Sequence, residues 1–89
     1  MLKDIMTEER VGEVDHFFTD LSVGIVDLSD KVEIGDKLHF KGATTDFTQT
    51  VDSMEIDREK VEEAGSGDVI GLKVEERVRE DDEVFKVED

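Results

Sequence analysis

The feature that most restricts the fold of this chain is a series of short segments in which apolar and polar residues alternate. "KLHFK" (37–41) is the clearest case, because Leu38 and Phe40 share one side while Lys and His residues share the other. Alternation of this kind, recurring about every 8 to 12 residues, is typical of an all-β sandwich or barrel. The other segments predicted as strands are 11–18, 22–28, 45–57, 68–76 and 82–88.

One of these segments, "TDFTQTVDSMEID" (45–57), changes phase halfway along. Its apolar residues occupy odd positions up to Val51 and even positions from Met54 onward. A slip of one residue is what a β-bulge produces, because the extra residue resets which side chains face inward. We therefore predict a bulge at Ser53, with Val51 and Met54 both buried and with different neighbouring strands at the two ends of the segment.

These segments together predict a small closed six-stranded β-barrel, since closure removes the exposed edges of short strands. Val, Ile, Leu and Phe number 27 of the 89 residues, above the ~20% level below which chains tend to be disordered. The predicted organisation is a short N-terminal arm at 1–9 followed by one barrel domain at 10–88. Within the polar stretch 57–67, Val61 and Ala64 allow a single helical turn.

The composition limits the possible partners. The formal net charge is −15, so direct binding to RNA is doubtful, because such binding depends on Lys and Arg displacing counterions from phosphates. The chain contains no Cys, which excludes thiolate metal sites and cysteine nucleophiles. No apolar run approaches the ~18 residues of a transmembrane helix, so we expect a cytoplasmic protein that does not enter a membrane.

Three phrases in order resemble domain two of the translation-factor GTPases, the barrel of elongation factor Tu, elongation factor G and initiation factor two. They are "VEIGDKLHFKG" (32–42), "TVDSMEI" (50–56) and "VEEAGSGDVIGLKV" (61–74). Gly35-Asp36 matches the turn between strands in that family, Ser53 the bulge, and Ala64 to Leu72 the loop-to-strand element. The likeness is greater to small stand-alone translation elongation factor-like proteins, and a similar barrel ends the collagenase-like peptidases, several of which act on tRNA modification.

The resemblance implies a non-catalytic module linked to translation, acting through a protein partner. The alternative that it implies is a detached barrel subunit that assists a collagenase-like peptidase or a tRNA-modifying enzyme. A GTPase is not expected, because the chain has no G-x-x-x-x-G-K-S/T phosphate loop. We therefore expect neither GTP binding nor any other cofactor.

The two histidines, His16 and His39, are interpreted as ordinary surface or rim residues. Structural or catalytic zinc needs three or four protein ligands, and no residues here have the spacing of such a set. Acidic residues are too numerous for a pair of carboxylates to indicate acid–base catalysis. We expect no metal site, no catalytic residues and no enzymatic activity.

His16, Phe17 and Phe18 form a candidate contact patch. Neighbouring residues in a strand face opposite ways, so one Phe would join the core and the other would lie exposed beside His16. The alternative is that the strand ends there and both rings cover the mouth of the barrel.

Overall fold

The computed structural model describes residues 7–88, and these form ten β-strands and no helix. All of the strand pairs are antiparallel, and eight of the strands make one sheet while the other two make a short ribbon. The strands are β1 (Thr7–Phe18), β2 (Val23–Leu28), β3 (Val32–Glu33), β4 (Lys37–Lys41), β5 (Asp46–Thr50), β6 (Met54–Ile56), β7 (Glu59–Val61), β8 (Glu63–Ala64), β9 (Val69–Lys73) and β10 (Glu83–Glu88).

The large sheet has the order β5-β4-β10-β1-β2-β9-β6-β7, and β1 is its longest strand. The first half of β1 pairs with β10 and the second half with β2. The register shifts between Arg10 and Gly12 and again between Val14 and His16. A Cβ on Gly12 would lie 2.4 Å from the carbonyl oxygen of Asp27, so the close approach of β1 to β2 requires glycine there.

The phase change in the long predicted strand has the expected effect on burial. Val51 and Met54 are each 1% exposed, which confirms that both point into the core. The chain breaks at 51–53 into two strands, of which β5 pairs with β4 while β6 pairs with β9 and β7. Ser53 therefore lies in a break between strands rather than in a bulge, and the register shifts of the sheet lie in β1 instead.

The prediction of an all-β protein is confirmed, but the prediction of a closed six-stranded barrel is not. The order of the large sheet begins at β5 and ends at β7, and pairing within that sheet does not join these two strands. The β3–β8 ribbon connects the segment before β4 to the segment after β7, and the Ile34 N–H donates to the Glu62 carbonyl beside it (3.0 Å). The side chain of the buried Gln49 makes a further link, between β5 and the end of β9. Its Nε2 donates to the Lys73 carbonyl (2.9 Å), and its Oε1 accepts from the Glu75 N–H (2.8 Å).

The inner face of the sheet encloses one apolar core, and Phe40 and Phe47 stack in it with ring centroids 5.0 Å apart. Two short strands that the alternation did not predict, β7 and β8, occupy the stretch where a helical turn was considered, so that interpretation was wrong. Of the predicted N-terminal arm, residues 1–6 lie outside the described part of the chain, and Thr7 to Glu9 begin β1.

Candidate interaction surface

The outer side of β1, β2 and β9 carries apolar side chains. Along β2, Gly24, Val26 and Leu28 are buried, so Val23 and Ile25 point outward, where they remain partly exposed. We call this surface the apolar outer face, and its members are Phe18, Leu21, Val23, Ile25 and Val69, which line a single groove.

The strand register explains why these side chains are neighbours. Val23 lies opposite Phe18 on β1, and Ile25 lies opposite Gly71 on β9. A Cβ on Gly71 would make ordinary contacts with side-chain atoms of Val23 and Ile25, at 3.7 and 3.8 Å. Because Gly71 has no side chain, the floor of the groove lies low beside Ile25.

Solvent reaches much of this surface. Leu21 is 62% exposed, Val69 46% and Phe18 45%. Single exposed apolar residues are normal on soluble proteins, whereas a contiguous group often marks an interaction site. In the described range a fourth large apolar side chain, Ile34, is exposed to a similar degree (39%). It lies outside the groove.

Charged residues from β6 and the β6–β7 hairpin complete the groove. Glu55, Asp57 and Arg58 line it together with the apolar side chains. Asp57 and Arg58 form a two-residue loop between the paired Ile56 and Glu59, and both have positive φ, 52° and 68°. A type I′ hairpin requires this backbone, which is strained for Arg because its Cβ crowds the chain.

The predicted contact patch lies at one end of this surface. His16 and Phe18 share the outer side of β1, with ring centroids 4.6 Å apart in an edge-to-face arrangement. Phe17 faces the other way and packs against the core cluster. The rings of Phe17 and Phe18 thus separate as one of the two alternatives predicted.

The other members of the apolar outer face were missed in the sequence. The segment "SVGIVDL" (22–28) has apolar residues at both odd and even positions, a pattern that is typical of a strand covered on both faces. Among residues 7–88, β2 is covered on its inner face only. The apolar residues at its outward positions were therefore the sequence signal for the apolar outer face.

His39 lies on the opposite part of the sheet, in a setting that the sequence did not predict. Its side chain is only 14% exposed and lies between two carboxylates. Nδ1 is 3.0 Å from Glu8 on β1, and Nε2 is 2.5 Å from Asp46 on β5. The hydrogen bond with Asp46, with a smaller contribution from Glu8, raises the pKa of His39 above its ordinary value of 6.5, although burial opposes this.

Neither histidine belongs to a metal-binding cluster in the part of the chain that the structure describes. The two carboxylates beside His39 approach different ring nitrogens, so one ion cannot bind all three groups. His16 Nδ1 lies 3.4 Å from Glu80, and both side chains are largely solvated. Among residues 7–88, no three His, Asp or Glu side chains converge to hold a metal ion. In the same range no helix is long and apolar enough to cross a membrane.

Comparison with known proteins relates the chain to peptidase-like proteins. It is 35% identical over 77 residues to an uncharacterized protease of Methanocaldococcus jannaschii, in a match that covers 85% of this chain. The chain spans only 19% of the length of that relative. No protein-family model matches the chain.

The fold is shared with the C-terminal domain of a candidate U32 peptidase from Geobacillus thermoleovorans. Its crystal structure superposes with a TM-score of 0.81 at 18% identity, covering 85% of this chain and 89% of that domain. The selenomethionine variant of the same domain gives the same score over 96% of its length. The comparisons thus support the peptidase side of the resemblance, and the translation-factor side is not shown.

Proposed function

We propose that this chain is a non-catalytic β-domain that assists a collagenase-like peptidase body, either as part of the same polypeptide or as a detached subunit. The observation that carries the proposal is that its sequence matches about a fifth of a longer protease. The likeness in fold to a separate peptidase C-terminal domain supports the same assignment.

A non-catalytic role agrees with the chemistry of the described residues. The chain has no Cys, and the hydrogen bonds of His39 go to Glu8 and Asp46 rather than to a Ser or Thr hydroxyl. Nucleophilic catalysis needs a nucleophile within hydrogen-bonding reach of its base. The peptidase chemistry would then belong to the larger body.

The partner that we propose is a protein. A chain with a net charge of −15 repels the phosphates of RNA, while it attracts a basic protein surface. The apolar outer face offers the contact area that a protein interface requires, because the fully buried centre of such interfaces is mainly apolar.

The test uses three versions of the Methanocaldococcus protease. In one, the segment matching this chain is replaced by this chain; in another, it is replaced by a Gly-Ser linker of equal length; the third is unaltered. We expect the body of the hybrid to unfold at a higher temperature than the body of the linker version, and this chain alone to cleave no labelled casein.

Two results would contradict the proposal. One is equal melting temperatures for the body in the hybrid and linker versions, and the other is casein cleavage in proportion to the concentration of this chain. The unaltered protease provides the upper limit of stabilisation against which the hybrid is judged.

A further inference from the structure

We infer that the apolar outer face is the surface through which this domain docks on its peptidase-like body, and that the body presents apolar side chains ringed by Lys and Arg. The inference rests on the proposed function and adds to it the site of contact and the chemistry of the partner surface.

The apolar outer face differs from the rest of the described surface in having several apolar side chains side by side. Leu21, Val69 and Phe18 are each at least 45% exposed, and Val23 and Ile25 connect them across β2. A sheet with one face on its own core and an apolar second face is typical of strands covered on both sides. Something outside residues 7–88 therefore fits this face.

The charges around the groove select the partner. Glu55 and Asp57 line one side of it, and Asp27 lies opposite Val69 in the strand register. A second copy of this chain would carry the same net charge of −15, so the two copies would repel each other. An anionic membrane would repel the same carboxylates. A basic protein surface is attracted instead, and it gains both the apolar burial and the ion pairs.

Arg58 supplies the one cation among the residues that line the groove in the described part of the chain. It stands on a strained backbone where Gly or Asn would be less strained, as often occurs at functional sites. Arg58 lines the groove together with apolar side chains, and a carboxylate of the partner would make a bidentate pair with its guanidinium. The docking surface of the body is thus basic overall, with an acidic group opposite Arg58.

The inference is tested by hydroxyl-radical footprinting of the hybrid protease, which labels exposed Leu, Ile and Phe side chains. Tethering gives an effective concentration of about a millimolar, so a weak non-native interface still forms. We expect labelling of Leu21 and Phe18 to fall several-fold relative to the isolated chain. Ile34 is exposed to a similar degree but outside the groove, and its labelling should not change.

Substitutions then show whether the protection reflects binding energy. Leu21→Ser combined with Val69→Thr should weaken docking about tenfold, since two apolar contacts are lost, and Ile34→Ser is the matched control. Both altered positions are exposed, so circular dichroism of the isolated variant should match the unaltered chain. Raising sodium chloride from low to high concentration should weaken docking, because ion pairs are screened.

The outcomes separate the inference from the function on which it rests. Protection of Ile34 without protection of Leu21 and Phe18 would overturn the docking surface while leaving the proposed function intact. No protection anywhere in the hybrid, with the body unstabilised, would overturn both. Docking that strengthens with salt, or concentration-dependent dimers of the isolated chain lost in the double variant, would overturn the basic partner.

Discussion

The two outer regions of the same sheet are built in opposite ways. Where β4, β5 and β10 lie, the outward His39 is held between Glu8 and Asp46, and its ring lies near that of Phe85 with centroids 6.4 Å apart. Where β1, β2 and β9 lie, the outward positions are apolar and open to solvent. In the polar region the ring nitrogens of His39 have hydrogen-bond partners within the domain. On the apolar outer face, the side chains remain in contact with solvent.

This difference separates residues that stabilise the fold from residues that are free for binding. The His39 cluster links β1 to the consecutive strands β4 and β5, and Glu8 on β1 is 31 residues from His39, so the cluster adds to the stability of the sheet. The apolar outer face lies over strands whose inner residues already form the core, so changing it should hardly affect stability. The predictions below test that division, beginning with the residue that joins the two regions.

Gln49 joins the two regions, because its side chain extends from β5 to the backbone at the end of β9. Gln49→Ala removes the donor to the Lys73 carbonyl and the acceptor for the Glu75 N–H. We therefore expect the unfolding free energy to fall by about 2 to 3 kcal/mol. Urea unfolding with an unchanged m-value measures it. Gln49→Glu keeps the acceptor for the Glu75 N–H but places a buried carboxylate oxygen against the Lys73 carbonyl, so at neutral pH it should be at least as destabilising as Gln49→Ala.

Thr50→Ala, at an exposed position of the same strand, is the control for that measurement and should stay within about 0.5 kcal/mol of the unaltered chain. If Gln49→Ala is as mild as Thr50→Ala, the gap between β5 and β9 is held by something other than this side chain.

The polar region should show a pH dependence of stability. Because the pKa of His39 is raised in the folded state, its stabilisation is fully present below about 6.5, the ordinary value, and is lost as the pH rises through the raised value. His39→Gln should therefore be less stable than the unaltered chain by about 1.5 kcal/mol at acidic pH, with a smaller difference at alkaline pH.

Urea unfolding at a series of pH values measures this difference directly. His16→Gln is the matched control, because its ion pair with Glu80 is solvated and such pairs contribute little. A difference between His39→Gln and the unaltered chain that stays constant or grows toward alkaline pH would contradict the prediction.

The sequence predicted the parts of this fold that depend on local alternation. The phase change between Val51 and Met54 was enough to place both residues in the core, since side-chain direction in a strand follows position alone. The positive φ of 96° at Gly35 agrees with the turn predicted at Gly35-Asp36. Neither inference required knowledge of which strands pair.

Features that depend on long-range register were beyond the sequence. The His39 cluster combines Glu8, which belonged to the predicted N-terminal arm, with Asp46 on β5. The order of the strands in the large sheet was not predicted either, because alternation shows which residues face inward but not which strands pair. Phe18 entered the predicted contact patch because it follows Phe17 in the sequence. Leu21 and Val69 line the same groove as Phe18 only because β1, β2 and β9 pair in the fold.

A smaller effect, opposite in sign, is expected at the edge of the apolar outer face. Arg58 has a φ of 68°, a conformation that Gly adopts without strain. Arg58→Gly should therefore raise the unfolding free energy by about 1 kcal/mol, and Arg58→Ala, which removes the charge but keeps the Cβ, should not. A gain in both variants would show that charge rather than backbone strain is responsible.

The smallest effect is expected on the apolar outer face itself, and a pair of identical substitutions tests it. Val69 is 46% exposed on β9, while Val26, which lies opposite Ile70 on the neighbouring strand β2, is fully buried. Thr has the shape of Val, so Val69→Thr changes only the polarity at an accessible position, and the unfolding free energy should shift by less than about 0.5 kcal/mol. Val26→Thr places a hydroxyl in the core without a partner and should cost about 1 to 3 kcal/mol. Equal losses in the two variants would mean that Val69 belongs to the core in solution, and the apolar outer face would then not be free to bind a partner.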